Sequence, residues 1–405
     1  MILINKIKTP FSLQNQCFNL AIYKMKPRIA LNIGFIFDSK FSLTRYNSTD
    51  IKSNHINYSN QNFVKTLIDP NIFIESRKIV GPVLESTLPN DFSPWFLTGF
   101  TEAEGNFDIS LFLNPKALAH TGIKFRFRLS ANYKDIVLLC AIKNYFGSGQ
   151  ISLIRKDTGV ITMEISSIEI IKNKIIPFFD KYPLKGTKYY DYLNWKDSFK
   201  DFIENKDHLN TKLSLIERLK YAKSNHNRNK LEFKIPIENL AVINPNYISG
   251  FVSGDGTFSL VTGPESFHKG FGRTILGITQ HVNNKLLLEA ILNYFSIGTV
   301  TSLTSKPNEN TYVVSNKEDL NKKIIPFFEK YPLYGLHSIS FLKWKYVVKY
   351  LLKIREDKNI FKRQDKQIIL SNVRTIWLDK STLLYNDLSI NSEEILKKIT
   401  EILKL

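Results

Sequence analysis

The sequence predicts an α+β protein built from two tandem, pseudo-symmetric copies of one unit, and three observations carry that prediction. The string KIIPFFDKYPL at 174–184 recurs as KIIPFFEKYPL at 323–333, an offset of 149 residues. Asn144-Tyr145-Phe146 and Asn293-Tyr294-Phe295 keep the offset, as do Trp195 and Trp344. Both copies also open alike, with Ser93-Pro94 leading to Gly105 and Asn244-Pro245 leading to Gly256. Ser and Asn are strong helix N-caps, Pro suits the first helical position and Gly is a natural stop.

Strands are expected after each opening helix. Phe107, Ile109, Leu111 and Leu113 alternate with Asn106, Asp108, Ser110 and Phe112, and Phe258 and Leu260 repeat the pattern. A second strand runs over 124–129 with Lys124, Arg126 and Arg128 on one face. Each copy then reads as helix, two strands, helix, strands, helix. The boundaries expected are an N-terminal extension over 1–90, a first domain over 91–205 and a linker over 206–243. A second domain over 244–350 and a helical tail over 351–405 complete the chain.

Composition narrows the function. Of 405 residues, 43% are hydrophobic and 13% aromatic, which is ample for packed cores and excludes global disorder. Two cysteines, Cys17 and Cys140, exclude a disulfide framework or a zinc site of several thiolates. The apolar stretch over 29–37 is too short to cross a bilayer, so no stable membrane insertion is expected. Lys and Arg number 56 against 37 Asp and Glu, a net charge of +19, and nucleic acid is the default partner for such a charge. The first 46 residues hold seven basic side chains and only Asp38 as an acid. With Leu13, Cys17, Leu20 and Tyr23 they fit either an amphipathic mitochondrial transit segment or an extension translated inside the organelle.

The chemistry is concentrated at the ends of the opening helices. Gly99 and Ala103, and likewise Gly250 and Gly254, lie four apart on one helix face, so two such helices can cross closely. Glu104 and Asp255 follow at the helix C-termini, where the macrodipole disfavours an acid by roughly 0.3–1 kcal/mol. Bringing two misplaced acids together adds repulsion. A divalent cation between them removes both costs, because hard cations choose carboxylate and carbonyl oxygen. A lone Asp-Gly is usually a solvated turn; two copies in register favour metal binding.

These residues carry a resemblance. LTGFTEAEG at 97–105 and ISGFVSGDG at 248–256 resemble the LAGLIDADG motif of the homing endonucleases, and the likeness continues through the repeated segments to about residue 350. The resemblance implies a single-chain, monomeric fold with the motif helices at the domain interface and two antiparallel sheets forming a saddle on double-stranded DNA. It implies that Glu104 and Asp255 bind Mg²⁺, with Mn²⁺ able to substitute, and that the Ala103 and Gly254 carbonyls assist. It also implies a polar or basic shell. Gln280 and Lys188 fit that shell, whereas their partners at 149 residues are Ala131 and His337. His337 is either a charge stabiliser when protonated or an ordinary, partly buried histidine. Lys124, Arg126, Arg128 and, in the second copy, Arg273 are expected to contact DNA, although a strand face of this kind is often simply solvated. Arg126 and Arg128 correspond to Ile275 and Gly277, and unlike faces imply a non-palindromic target. The implied function is intron homing in the mitochondrion. The alternatives are a maturase for a group I intron RNA on the same scaffold, or a DNA-binding protein without cleavage.

Overall fold

The computed structural model describes residues 88–356 apart from 90, 133–134, 153–158, 226–239, 241, 262–271 and 304. The expected leader helix and the tail beyond 356 lie outside the described residues. The first half begins with α1 (Pro94–Glu104), β1 (Gly105–Leu113), β2 (Thr121–Asn132) and α2 (Ile136–Phe146). It continues with β3 (Gln150–Ile151), β4 (Val160–Ile165), a helical segment α3 over 168–181, α4 (Lys188–Asn205) and α5 (Leu209–Asn225). The second half repeats the order with α6 (Pro245–Asp255), β5 (Gly256–Val261), β6 (Arg273–His281), α7 (Lys285–Phe295) and β7 (Thr299–Leu303). β8 (Lys306–Val314), α8 over 317–330 and α9 (Leu336–Glu356) complete it.

Two four-stranded antiparallel sheets result, ordered β1-β2-β4-β3 and β5-β6-β8-β7. Alternation in β2 sends Phe125, Phe127, Leu129 and Ala131 into the core and leaves Lys124, Arg126 and Arg128 on the opposite face. The cores are aromatic. Phe107 lies 5.2 to 5.5 Å, ring to ring, from Phe127, Phe179, Tyr192 and Trp195. Phe258 holds the same place against Phe328, Phe341 and Trp344. Helix α5 falls inside the segment expected to link the halves, yet its Leu215 and Leu219 are buried in the first core.

The repeated KIIPFF strings also explain an irregularity. Pro177 and Pro326 cannot donate to a helix ladder, and a π-helical turn precedes each, at Ile171–Ile175 and Leu320–Ile324. Lys174 and Lys323 reach from these turns to the last carbonyls of α2 and α7, Phe146 O at 3.0 Å and Phe295 O at 3.2 Å.

Helices α1 and α6 cross with their backbones in contact. A Cβ at Gly99 would lie 2.0 Å from Tyr247 O, and one at Gly250 would lie 2.0 Å from Phe96 O. The expected small-residue crossing is therefore present and reciprocal. Ala103 retains its methyl because Gly254 stands opposite, where a Cβ would come within 2.4 Å of it. Two details of the helix ends differ from expectation. Asn244 accepts a hydrogen bond from Asn246 N at 2.9 Å, whereas Ser93 contributes only its carbonyl, to Phe96 N and Leu97 N. The stop glycines are extended, at φ −81° and −71°, so they are not left-handed caps. Glycine is needed there for space, since a Cβ would lie 2.4 Å from Thr101 O at Gly105 and 2.5 Å from Val252 O at Gly256.

Because those carbonyls belong to helix backbone, no rotamer change relieves a clash at the crossing. Gly99→Ala or Gly250→Ala should each cost about 3 kcal/mol or more of unfolding free energy, read by denaturant unfolding of the full chain. An unchanged midpoint would show that the helices are not in backbone contact.

Candidate active site

The crossing delivers the last residues of α1 and α6, Glu104 and Asp255, to one place. Glu104 Cγ and Oε1 lie 3.0 and 3.5 Å from the point where a Cβ on Gly254 would stand. Burial first, then the charge of Asp255, pushes the Glu104 carboxyl up from 4.5 to about 7, with Asp135 adding and Lys188 opposing. Burial also raises the Asp255 carboxyl, opposed by a hydrogen bond from Gln280 and by Lys188. Both acids thus stand where the fold disfavours their charge. The donor set suits a hard divalent cation. Among the described residues no group of three or more His, Cys, Asp and Glu side chains could hold a metal, so water, carbonyl or substrate oxygen must fill the remaining positions.

Lys188, the first residue of α4, donates to Thr101 O at 3.0 Å and Ala103 O at 3.1 Å, in the last turn of α1. The carbonyl expected to assist a metal at Ala103 is therefore already engaged by an ammonium. Burial lowers the Lys188 pKa, opposed by Glu102, Asp255, Glu104 and Asp191. Its counterpart His337 bonds Gly256 O through Nε2 at 2.7 Å, and burial lowers its pKa despite the Gly256 and Ser253 backbone contacts. Burial thus disfavours the protonated form that a charge-stabilising role would need. Gln280 does reach the site, donating Nε2 to Asp255 Oδ2 at 2.7 Å. Ala131, in the equivalent position of the first half, is buried and adds no polar group.

Three further residues converge here that the sequence did not single out. Asn284 donates to Gln280 Oε1 at 2.9 Å and accepts from Thr187 N at 2.8 Å. Asp135, its partner at the 149-residue offset, accepts from Leu336 N at 2.7 Å, and burial raises its carboxyl to about 7. Glu102 Oε2 accepts from Lys185 N at 2.9 Å, Gly186 N at 3.0 Å and Tyr247 OH at 3.1 Å, while its buried Oε1 has no partner. Ser253 fills the matching place in α6, and its Oγ accepts from Tyr334 N at 3.1 Å. The usable signal was the repeat itself: positions 102/253 and 135/284 pair residues of unlike charge.

The basic strand face is less open than expected. Lys124 pairs with Glu164 at 2.7 Å, and Arg126 binds Asp108 through Nε at 2.7 Å. Arg128 lies 3.4 Å from Asp108 Oδ1 and donates to Asn106 Oδ1 at 3.0 Å. Three cations thus share a face with two acids, held by the cross-strand register Asp108↔Arg126. On the second sheet Arg273 is exposed and bonds Ser315 Oγ at 2.9 Å. Its strand neighbours on that face, Ile275, Gly277 and Thr279, carry no charge.

Comparison with known proteins places this geometry. Residues 97–199 and 248–348 match the LAGLIDADG endonuclease family. Probable intron-encoded endonuclease 2 of Neurospora crassa is 28% identical over 289 residues, covering 66% of this chain and 62% of that protein. Probable intron-encoded endonuclease 3 of the same fungus is 30% identical over 267 residues, 62% of this chain and 49% of the relative. The match thus spans less than two thirds of each relative. The structure of I-SmaMI bound to an uncleaved DNA target in the presence of calcium ions superimposes with a TM-score of 0.61. Its sequence is 28% identical, over 72% of this chain and 99% of that one. No helix among the described residues is long and apolar enough to cross a membrane.

An acid whose pKa is raised on folding stabilises the fold while protonated, and that contribution is lost as pH rises through the folded value. For Glu104 the window runs from 4.5 to about 7. In the presence of a chelator, Glu104→Gln should therefore melt above the wild type at pH 8, with the gap closing towards pH 5. A wild type that gains on the variant with rising pH would mean that a positive charge already neutralises Glu104.

Proposed function

The chain belongs to the LAGLIDADG endonuclease family, and from that membership we propose that it is a site-specific endonuclease that hydrolyses one phosphodiester in each strand of a long, non-palindromic duplex. The observation that carries this is the meeting of Glu104 and Asp255 at the crossing of α1 and α6, both with raised pKa values. Glu104 and Asp255 would hold a divalent cation, Mg²⁺ or Mn²⁺, whose chemistry when bound is to lower the pKa of water and to offset charge on a leaving oxygen. Gln280 orients the Asp255 carboxylate by donating to its Oδ2. Lys188 brings a positive charge beside both acids, as its influence on each carboxyl indicates. Both halves are present in one chain, so a monomer supplies a complete site. The unlike sheet faces, charged in the first half and mostly neutral in the second, suit an asymmetric target. The basic leader and the intron-encoded relatives support a role in intron homing within the mitochondrion.

A second reading is favoured by one observation. Each half lacks one polar group that the other has: Ala131 stands in the first half where the second has Gln280, and His337, tied to Gly256 O, stands in the second where the first has Lys188. That pattern suits a group I intron maturase that binds RNA on the same scaffold.

Glu104→Gln and Asp255→Asn should each abolish double-strand cutting in Mg²⁺ while duplex binding persists. The substrate would be a duplex that the wild type selects from a randomised library. If either variant still cuts both strands, that acid leaves the mechanism. Intron RNA splicing without any DNA cutting by the wild type would establish the maturase instead.

Arg126→Ala should weaken duplex binding by more than one lost phosphate contact, because it also leaves Asp108 facing the DNA with only the longer contact to Arg128. Its salt slope should fall by about one unit. Unchanged affinity and slope would remove this face from the interface.

A further inference from the structure

Asn284 is 8% exposed and uses both ends of its amide. Its Oδ1 holds Thr187 N, the residue before Lys188, and its Nδ2 holds Gln280, which in turn holds Asp255 Oδ2. Lys188 closes the run by binding the carbonyl of Ala103, next to Glu104. A series of hydrogen bonds, carried from Thr187 to Lys188 by the backbone, therefore leaves the acid of the second half, passes through Asn284 and returns to the motif helix of the first. The loop it grips is closely seated: a Cβ on Gly186 would lie 3.0 Å from Asn284 Oδ1 and 2.5 Å from Glu102 Oε1.

The mirror-image series is incomplete. Asp135 accepts Leu336 N beside His337, as Asn284 accepts Thr187 N beside Lys188. The position that would continue the series, equivalent to Gln280, is Ala131, whose methyl group can neither donate nor accept a hydrogen bond. Among the described residues, only one direction across the interface is tied from end to end.

We propose that Asn284 is a positioning residue that couples the two halves of the site, holding the Lys188 loop of the first half and the Gln280–Asp255 pair of the second in one register. The inference rests on the endonuclease reading, which assigns work to those groups. It makes the geometry around Asp255 dependent on the opposite domain, whereas Glu104 has no equivalent tie. Residues that orient a metal-binding carboxylate are commonly worth about 10–100-fold in activity.

The test uses the full chain in four forms: wild type, Asn284→Ala, Gln280→Ala and the double variant. Amide exchange without DNA should rise by about tenfold or more at 185–188 in Asn284→Ala, and stay at the wild-type level there in Gln280→Ala. On a duplex selected by the wild type, single-turnover cutting in Mg²⁺ should slow by about tenfold or more in each single variant, with affinity in Ca²⁺ unchanged. The double variant should cut no more slowly than the slower single one, because both act along one series. Effects that multiply in the double variant, or exchange at 185–188 that does not change, overturn the proposal. If the wild type cuts no selected duplex, the endonuclease reading fails, and the exchange result still judges the Asn284 tie. If Asn284→Ala loses its fold, Gln280→Ala decides alone, and wild-type cutting by that variant overturns the coupling.

Discussion

The contact between the backbones of α1 and α6 is the constraint on which the rest depends. It exists because Gly99 and Gly250 each face a carbonyl of the opposite helix, 2.0 Å from where a Cβ would sit. Everything at the site inherits its position from that crossing. Glu104 and Asp255 are brought together because each ends a helix that cannot shift without opening the contact. The two sheets begin one residue later, at Gly105 and Gly256, so the same crossing sets where each of them starts.

The crossing creates an electrostatic problem that the protein does not resolve internally. Two carboxylates lie at negative helix ends, largely out of water, and the charge of Asp255 adds to the cost of charging Glu104. Lys188 offsets part of that cost, but its own burial pushes it towards neutrality. Such an arrangement stores an affinity for positive charge, which is what a site for a divalent cation and a phosphate requires.

Much of this was legible in the sequence because it is repeated. The helix caps, the small pairs, the terminal acids and the Pro-containing helices appear twice at fixed offsets, and duplication separates a signal from a chance motif. Side-chain direction was not legible. Nothing in the string says that His337 turns to Gly256 O, or that Asp108 and Glu164 occupy the basic face, because those contacts join residues distant in sequence. Differences between the copies were read at the Gln280, Lys188 and strand-face positions but not at two other informative pairs. Glu102 against Ser253 and Asp135 against Asn284 are also places where pseudo-symmetry breaks, and the structure puts all four around the two loops that begin α4 and α9. Conversely, the exchange of Phe96 for Tyr247 compensates locally, since the Tyr247 hydroxyl serves the larger acid at 102.

The central claim is that Glu104 and Asp255 share responsibility for a divalent cation at the helix crossing. The most direct measurement is anomalous diffraction from crystals grown with Mn²⁺ and a duplex selected by the protein. The account predicts a manganese peak within coordination distance of a carboxylate oxygen of Glu104 or Asp255, at about 2.0–2.3 Å. A Mn²⁺ ion seated elsewhere on the protein, with both carboxylates bound only to protein groups, would contradict it.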